Sequence, residues 1–424
     1  MGAIAAASLP GSTSKRQTSE VENTESLDYY RALAWVLPVA AATLVLFQIY
    51  VPIQSGLLNV NLADPVAMLG GVLFILTCAR AGRLPQWRLA HINLAAVVAT
   101  LVLAVSLVIG AYRFGWTNWA VTNRFLGWFV LLAYGATGAL IVRDGQKVGF
   151  RTILLTFAGA TAAVAGVEVF LVMVAGLGFK VPVTPTAVEG FSLNRNFFAL
   201  QLLMAMAATI TAVRGASLRI VILALVIAGL YFAGSRSGWI AAVFVLATGR
   251  YLGAINSREI LIAILGAASA ALIVVLLSAL PNLPNAASPQ FVPNAASTQE
   301  RLVSVVGGLK LFLDHPVFGA GLGAFRNEMI LASSGIPLLI HSTAVWLLAE
   351  LGMIGFIVFV LPATYIFFKE WEHPRKERAS ILIVLCFVAF GMMSGPADML
   401  YQRTFWLLIG AGLALHRSEQ CEET

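Results

Sequence analysis

Along most of the chain, apolar runs of about 17–25 residues alternate with short polar breaks, the length a helix needs to cross a hydrocarbon core of ~30 Å. The runs predict about twelve helices, at residues 32–50, 65–79, 92–112, 125–142, 152–178, 197–213, 219–233, 238–249, 259–280, 342–368, 379–394 and 404–415. The seventh and eighth are short, which neighbouring helices or thinned lipid tolerate. The alternation breaks once, over 281–340, where an external segment of about 60 residues replaces connections that elsewhere span a few to about 20. Its first part, PNLPNAASPQFVPNAAS, repeats PNAAS and is rich in Pro and Asn, as an extended linker or a ligand-binding repeat would be. In the second part Ser297 and Glu300 have capping-box spacing. Leu302, Val305, Val306, Leu309, Phe312 and Leu313 then recur with helical period until Pro316, predicting an amphipathic helix over 298–313. Arg301, Ser304 and Gly308 take its other face, so the expectation is an apolar side resting on the bundle and Arg301 turned toward a cavity.

Composition fixes the class. Of 424 residues 59% are hydrophobic and 11% charged, whereas a soluble domain carries roughly 25% charged residues. The chain is therefore expected to be an all-α polytopic membrane protein. Its net charge of +7 is spread over short loops rather than gathered in one patch, so no nucleic-acid partner is expected. Cys78, Cys386 and Cys421 show neither CxxC nor metal-ligand spacing. Most of the 27 Lys and Arg residues fall in ARAGRLPQWR, VRDGQKVGFR, RGASLR, GRYLGAINSRE, KEWEHPRKER and the termini. Cations are retained on the cytoplasmic side, which puts both termini inside. The expected organisation is a flexible cytoplasmic tail over 1–30, nine spans over 31–280, an external loop over 281–341, three spans over 342–415 and a tail over 416–424.

The external side carries the candidate chemistry. Arg195 in NRN is either an interfacial cation snorkelling to headgroups or a substrate ligand. Arg236 sits in the tight turn GSRSGW, where Gly and Ser allow close approach and the guanidinium fork matches phosphate oxygens. In DHPVFGAGLGAFRNEM, GAGLGAF lacks the strand and helix of a nucleotide fold, so its glycines are read as tight turns against the bundle. His315 there is a loop cap or a ligand contact. His341 opens HSTAVWLLAELGMIGF; it either marks the headgroup boundary or takes a proton from a hydroxyl. Glu350 lies nine residues on, about 13 Å along a helix, so it and Glu168 are expected to pair with cations or hydroxyls inside the bundle. Arg195, Arg236, Arg301 and His341 on one side have a joint logic: arginines neutralise a diphosphate while a histidine activates a hydroxyl, without need of a divalent metal.

HPVFGAGLGAF, the following HSTAVWLLAELGMIGF and the upstream GSRSGW resemble the O-antigen ligase and polymerase superfamily of bacterial envelopes. The resemblance covers the helical layout of most of the chain, with its specific motifs over 194–239 and 301–356. It implies metal-independent, inverting glycosyl transfer without a cofactor, from an undecaprenyl-diphosphate-linked glycan donor at the periplasmic face of the inner membrane. The acceptor is lipid A-core for a ligase and another lipid-linked repeat unit for a polymerase. Membrane lipids surround the bundle in either case. Carried onto this chain, it makes His341 the general base and Arg236 and Arg301 the diphosphate ligands. Arg195 and His315 match less closely, and Arg403, with Asp398 in GPADMLYQRTFW, is a further substrate contact. The chain shows no large C-terminal periplasmic domain of the kind found in protein O-oligosaccharyltransferases, which favours a ligase. The reading from another class is a twelve-helix transporter, against which stand the absence of matching halves and the gathering of polar candidates at one face.

Overall fold

The computed structural model describes residues 13–53, 56–82, 85, 87–89, 91–176, 179, 188–192, 194–278, 295–332, 338–372 and 377–415. Helices dominate. α1 (Thr13–Leu44) leads into an antiparallel hairpin, β1 (Gln48–Ile53) and β2 (Gly56–Asn61), in register from Gln48 opposite Asn61 to Ile53 opposite Gly56. α2 (Asp64–Arg80), α3 (Ile92–Phe114), a π-helical stretch (Trp119–Leu126) and α4 (Gly127–Gly176) follow. Next come α5 (Arg195–Ala212), α6 (Ala216–Ala233), α7 (Arg236–Tyr251), α8 (Ser257–Ser278), α9 (Ala295–Asp314) and α10 (Ala324–Ala332). α11 (Thr343–Trp346), a second π-helical stretch (Leu347–Leu351) and α12 (Gly352–Trp371) form one broken helix before α13 (Arg378–Ser394) and α14 (Arg403–Ala414).

Several expectations change. The tail expected over 1–30 is helical from Thr13, and the first span ends at Leu44 instead of residue 50. Beyond it, Ile49, Tyr50 and Val51 are β-branched or aromatic and enter the hairpin instead. α4 is assigned as one helix across the break expected at 143–151. A Cβ on Gly149 would nevertheless lie 2.2 Å from the Ile141 carbonyl oxygen, whereas eight residues of straight helix span about 12 Å. The chain therefore doubles back, giving two arms, Trp119–Val142 and Lys147–Ala175. Among the described residues five segments are long and apolar enough to cross a membrane: these two, Ile92–Phe114, Ala216–Ala233 and Thr343–Trp371. Arg378–Ser394 and Arg403–Ala414 are shorter apolar helices. The result is a helical membrane protein in which five segments of the described residues reach full crossing length, where twelve spans were expected.

Two cores organise the bundle. The larger joins α1, α2, α4–α8, α13 and α14, with α5 at its centre: every residue from Phe198 to Ala212 is buried. A helix apolar all round belongs inside. The smaller core joins α3, the start of α4, the 311–325 segment and the broken helix, through Leu103, Trp128, Leu311, Phe325 and Trp346. Glycine interlocks seal it. A Cβ on Gly319 (φ +75°) would meet the Glu350 carbonyl carbon at 2.4 Å, and one on Gly321 (φ +101°) the Gly110 nitrogen at 2.3 Å. The glycines of GAGLGAF thus serve tight packing, as expected.

α9 starts at Ala295, before the Ser297–Glu300 pair expected to cap it. The PNAAS repeats fall mostly on 284–294, outside the described residues. The helix is also turned over relative to the expectation. Ser304, Gly308 and Leu311 face the protein, with a Cβ on Gly308 only 2.6 Å from Val345 Cγ1. Leu302, Val306, Leu309 and Leu313 point outward. The small residues permit an approach that Leu and Val would block, and that close contact decides the face.

Candidate active site at one end of the bundle

Two helix N-termini meet at the site. Asn194 caps α5, its Oδ1 accepting from the Asn196 and Phe197 amides at 2.9 and 3.4 Å. Ser235 caps α7, its Oγ accepting from the Gly238 amide at 3.2 Å. The same hydroxyl donates to Asn196 Oδ1 at 2.9 Å, tying the two starts together. Gly238 lets them close up, since a Cβ there would lie 2.9 Å from Ala199 Cβ. The first helical residues are Arg195 and Arg236. Helix starts carry partial positive charge, so two of them crowned by arginines gather positive potential into a cradle at this end of the bundle.

α9 adds the third arginine. The Arg301 guanidinium is held below its ordinary value by burial, then by the like charges of Arg195 and Arg236. Among the described residues none of these three arginines forms an ion pair with a carboxylate. Ser304, one turn on, donates to the Arg301 carbonyl at 2.9 Å and accepts from the His341 amide at 3.4 Å, so α9 holds the arginine and the histidine segment in fixed relation. His341 is itself pushed below the usual imidazole value, by burial first and by Arg301 second, with Glu300 and Asp398 pulling the other way. A neutral imidazole at neutral pH can accept a proton. The structure thus brings together Arg195, Arg236, Arg301 and His341.

Arg403 and His315 have partners of their own. Arg403 is bidentate to Asp64, with Nε at 2.6 Å and Nη2 at 2.8 Å, and Nη2 reaches the Asn59 carbonyl at 3.0 Å. Its guanidinium fastens α14 to the start of α2. His315 meets Arg113 Nη2 at 2.7 Å through Nε2, and its carbonyl accepts from the Gly319 amide at 3.1 Å, the arrangement of a loop cap. Glu168 pairs with a backbone amide, that of Gly190 at 3.2 Å, instead of a cation or hydroxyl. Glu350 does lie inside the bundle: it accepts from Trp346 Nε1 at 2.8 Å and the Gly323 amide at 3.0 Å.

Behind His341 lies a layer that the sequence reading missed. Arg124 Nη1 donates to Asp398 Oδ2 at 2.7 Å, and its guanidinium lies 4.4 and 4.9 Å from the rings of Trp346 and Tyr401. Thr343 Oγ1 accepts from the Met399 amide at 2.9 Å and so joins the histidine segment to the Asp398 loop. The available signal was a charged residue amid WAVTNRFLGW, which the expected start at 125 left just outside the helix. Asn194 and Ser235 were equally legible as caps preceding arginine. Among the described residues no three His, Cys, Asp or Glu side chains group as metal ligands.

No curated protein matches the chain. Residues 220–360 match the family model described as O-Antigen ligase, a window that runs from α6 through Arg236, Arg301 and His341 into α12. The chain is a helical membrane protein, and the match over residues 220–360, a third of its length, supports the O-antigen ligase superfamily.

Proposed function

We propose that the protein is an O-antigen ligase that transfers a glycan from undecaprenyl diphosphate to lipid A-core at the periplasmic face of the bacterial inner membrane. The observation that carries this reading is the meeting of Arg195, Arg236 and Arg301, without a carboxylate among the described residues to pair them, beside a histidine whose proton affinity is lowered. Three guanidinium groups over two helix starts suit a diphosphate. In the reaction, the acceptor hydroxyl attacks the anomeric carbon from the face opposite the diphosphate and gives its proton to His341. The anomeric C–O bond breaks, and the electron pair leaves with the diphosphate, whose growing charge the arginines meet. Arg124, Asp398 and Thr343 steady the loop that carries the histidine.

The sidedness rests on charge. Arg151, Arg214, Arg219 and Arg378 gather at the opposite end. A cation-rich end belongs in the cytoplasm, which supports both termini inside and the cradle outside. The test is an envelope-glycan gel from cells lacking the gene. Long polymer that stays lipid-linked, with bare core, is the expected result. Core bearing a single repeat unit would instead make the protein a polymerase, and an unchanged gel would overturn both.

A further inference from the structure

We infer that α9 is an interfacial helix whose outward face is embedded in the outer leaflet of the bilayer, setting the arginine cradle at the depth of the lipid phosphates. Leu302, Val306, Leu309 and Leu313 are 64%, 58%, 41% and 73% exposed. Their spacing of four, three and four residues makes one continuous stripe on a helix of 3.6 residues per turn. Across the helix, Ser304, Gly308 and Leu311 are buried against the protein. The helix therefore spends its small residues on the bundle and leaves its large apolar ones outside.

The occupant of that stripe follows from what it joins. Past Leu313 the chain presents Val317 and Phe318, both exposed. The Pro316 and Val317 carbonyls accept from the Met353 and Ile354 amides at 2.9 and 3.2 Å, so this stretch lies directly on the start of α12. α12 belongs to a segment of membrane-crossing length, and Met353, Ile357 and Leu361 on its outer side are exposed. These side chains face lipid if the segment crosses at all. Across Asp314 and His315 the stripe of α9 thus continues into a lipid-facing surface. Lys310 and Asp314 flank the stripe and are exposed, placed where a snorkelling lysine reaches headgroup phosphate. Helices of this kind lie about 5–10 Å into the boundary between headgroups and acyl chains. Arg301 stands on the side of α9 between stripe and bundle, so its guanidinium meets a lipid-borne phosphate without lifting the lipid from the membrane. The choice of leaflet rests on the sidedness proposed above, whereas the embedding of the stripe does not depend on the reaction.

The test is a cysteine scan of α9 in the full chain, in a Cys421→Ser background, since Cys78 and Cys386 are buried. Leu302, Val306, Leu309, Leu313, Glu300, Lys310 and Asp314 are each replaced by Cys and labelled with an environment-sensitive fluorophore. Labelled protein is reconstituted into phosphatidylethanolamine–phosphatidylglycerol nanodiscs, one chain per disc. The expected result is helical periodicity: blue-shifted emission at 302, 306, 309 and 313, quenched at least twofold more by nitroxide on the headgroup or upper acyl chain than by aqueous iodide, with the reverse at 300 and 314. Equal access of iodide to all seven positions would overturn the inference. So would strongest quenching from nitroxide near the bilayer centre, or shielding at the four apolar positions that appears only with two chains per disc, which would assign the face to a second copy. Every position is exposed, so the substitutions leave the packing intact.

Discussion

Two arginine sites at opposite ends of the bundle use the same side chain for opposite purposes. At one end Arg88 is fully enclosed and satisfied: Nε donates to Glu370 at 2.9 Å, and the remaining nitrogens donate to Glu377, to Ser380 Oγ at 2.9 Å and to the Leu415 carbonyl at 3.3 Å. It clamps the 87–89 segment to α12, α13 and the end of α14. At the other end Arg195, Arg236 and Arg301 repel one another, and among the described residues none of them pairs with a carboxylate. A buried cation kept with its counter-charge is structure. A group of cations held together without one costs folding energy unless an anion arrives, and that cost is what points to a ligand.

The sharpest way to break this comparison is His341→Ala. A positioned general base contributes about 10²–10⁴-fold, so transfer should fall by that order while a lipid-linked glycan still binds the arginines. Retained transfer in a purified assay would remove the base from the mechanism. Lost binding with residual chemistry would make His341 a ligand contact.

Arg88→Met tests the other pole. It leaves Glu370, whose side chain is 0% exposed, without its counter-charge, and breaking a buried pair in this way costs about 3–5 kcal/mol. The expected outcome is a large fall in thermal stability with unchanged transfer per folded molecule. An equal stability loss from Arg301→Gln would erase the distinction, because that residue has no ion-pair partner among the described residues to abandon.

The cradle itself is probed by Arg236→Ala and Arg301→Ala. A hydrogen bond to a charged group is worth about 1.5–3 kcal/mol, so each should weaken donor binding by roughly 10- to 150-fold. Lys in either position should restore part of the affinity, because it keeps the charge and loses the fork. Binding insensitive to both would move the diphosphate elsewhere.

The two ends were not equally legible. Spans announced themselves through apolar length, so α2, α3, α5–α8, α13 and α14 fall within three residues of where the hydrophobic runs put them. Arg236 and His341 stood out because a tight polar turn and a histidine before an apolar run are local signals. Arg403 carried less weight, and its pairing with Asp64, 339 residues away, is a meeting that no local pattern foretells. A separation of 274 residues likewise hid the Arg124–Asp398 pair. For α9 the period was visible and the facing was not, since moment alone cannot say whether a stripe seeks protein or lipid. Gly308 against Val345 decided it.

The smallest effect concerns proton affinity. Burial and the charge of Arg301 both hold His341 below its ordinary value, so the acid limb of kcat/KM should lie below 6.5, the value of a free imidazole. The sign carries over to folding. A histidine depressed in the folded state binds protons more readily when unfolded, so its contribution to stability is present above pH 6.5 and is lost as pH falls through that value toward the lower folded one. Arg301→Gln removes one of the two depressing causes and leaves burial, so the acid limb should move part of the way back up. Asp398→Asn removes a group that pulls in the other direction and should move it further down. Opposite shifts in the two variants, read from pH profiles of kcat/KM, would tie the imidazole to the cradle electrically. Profiles that coincide with wild type would separate them, leaving the arginines as a binding site with no influence on the base beside it.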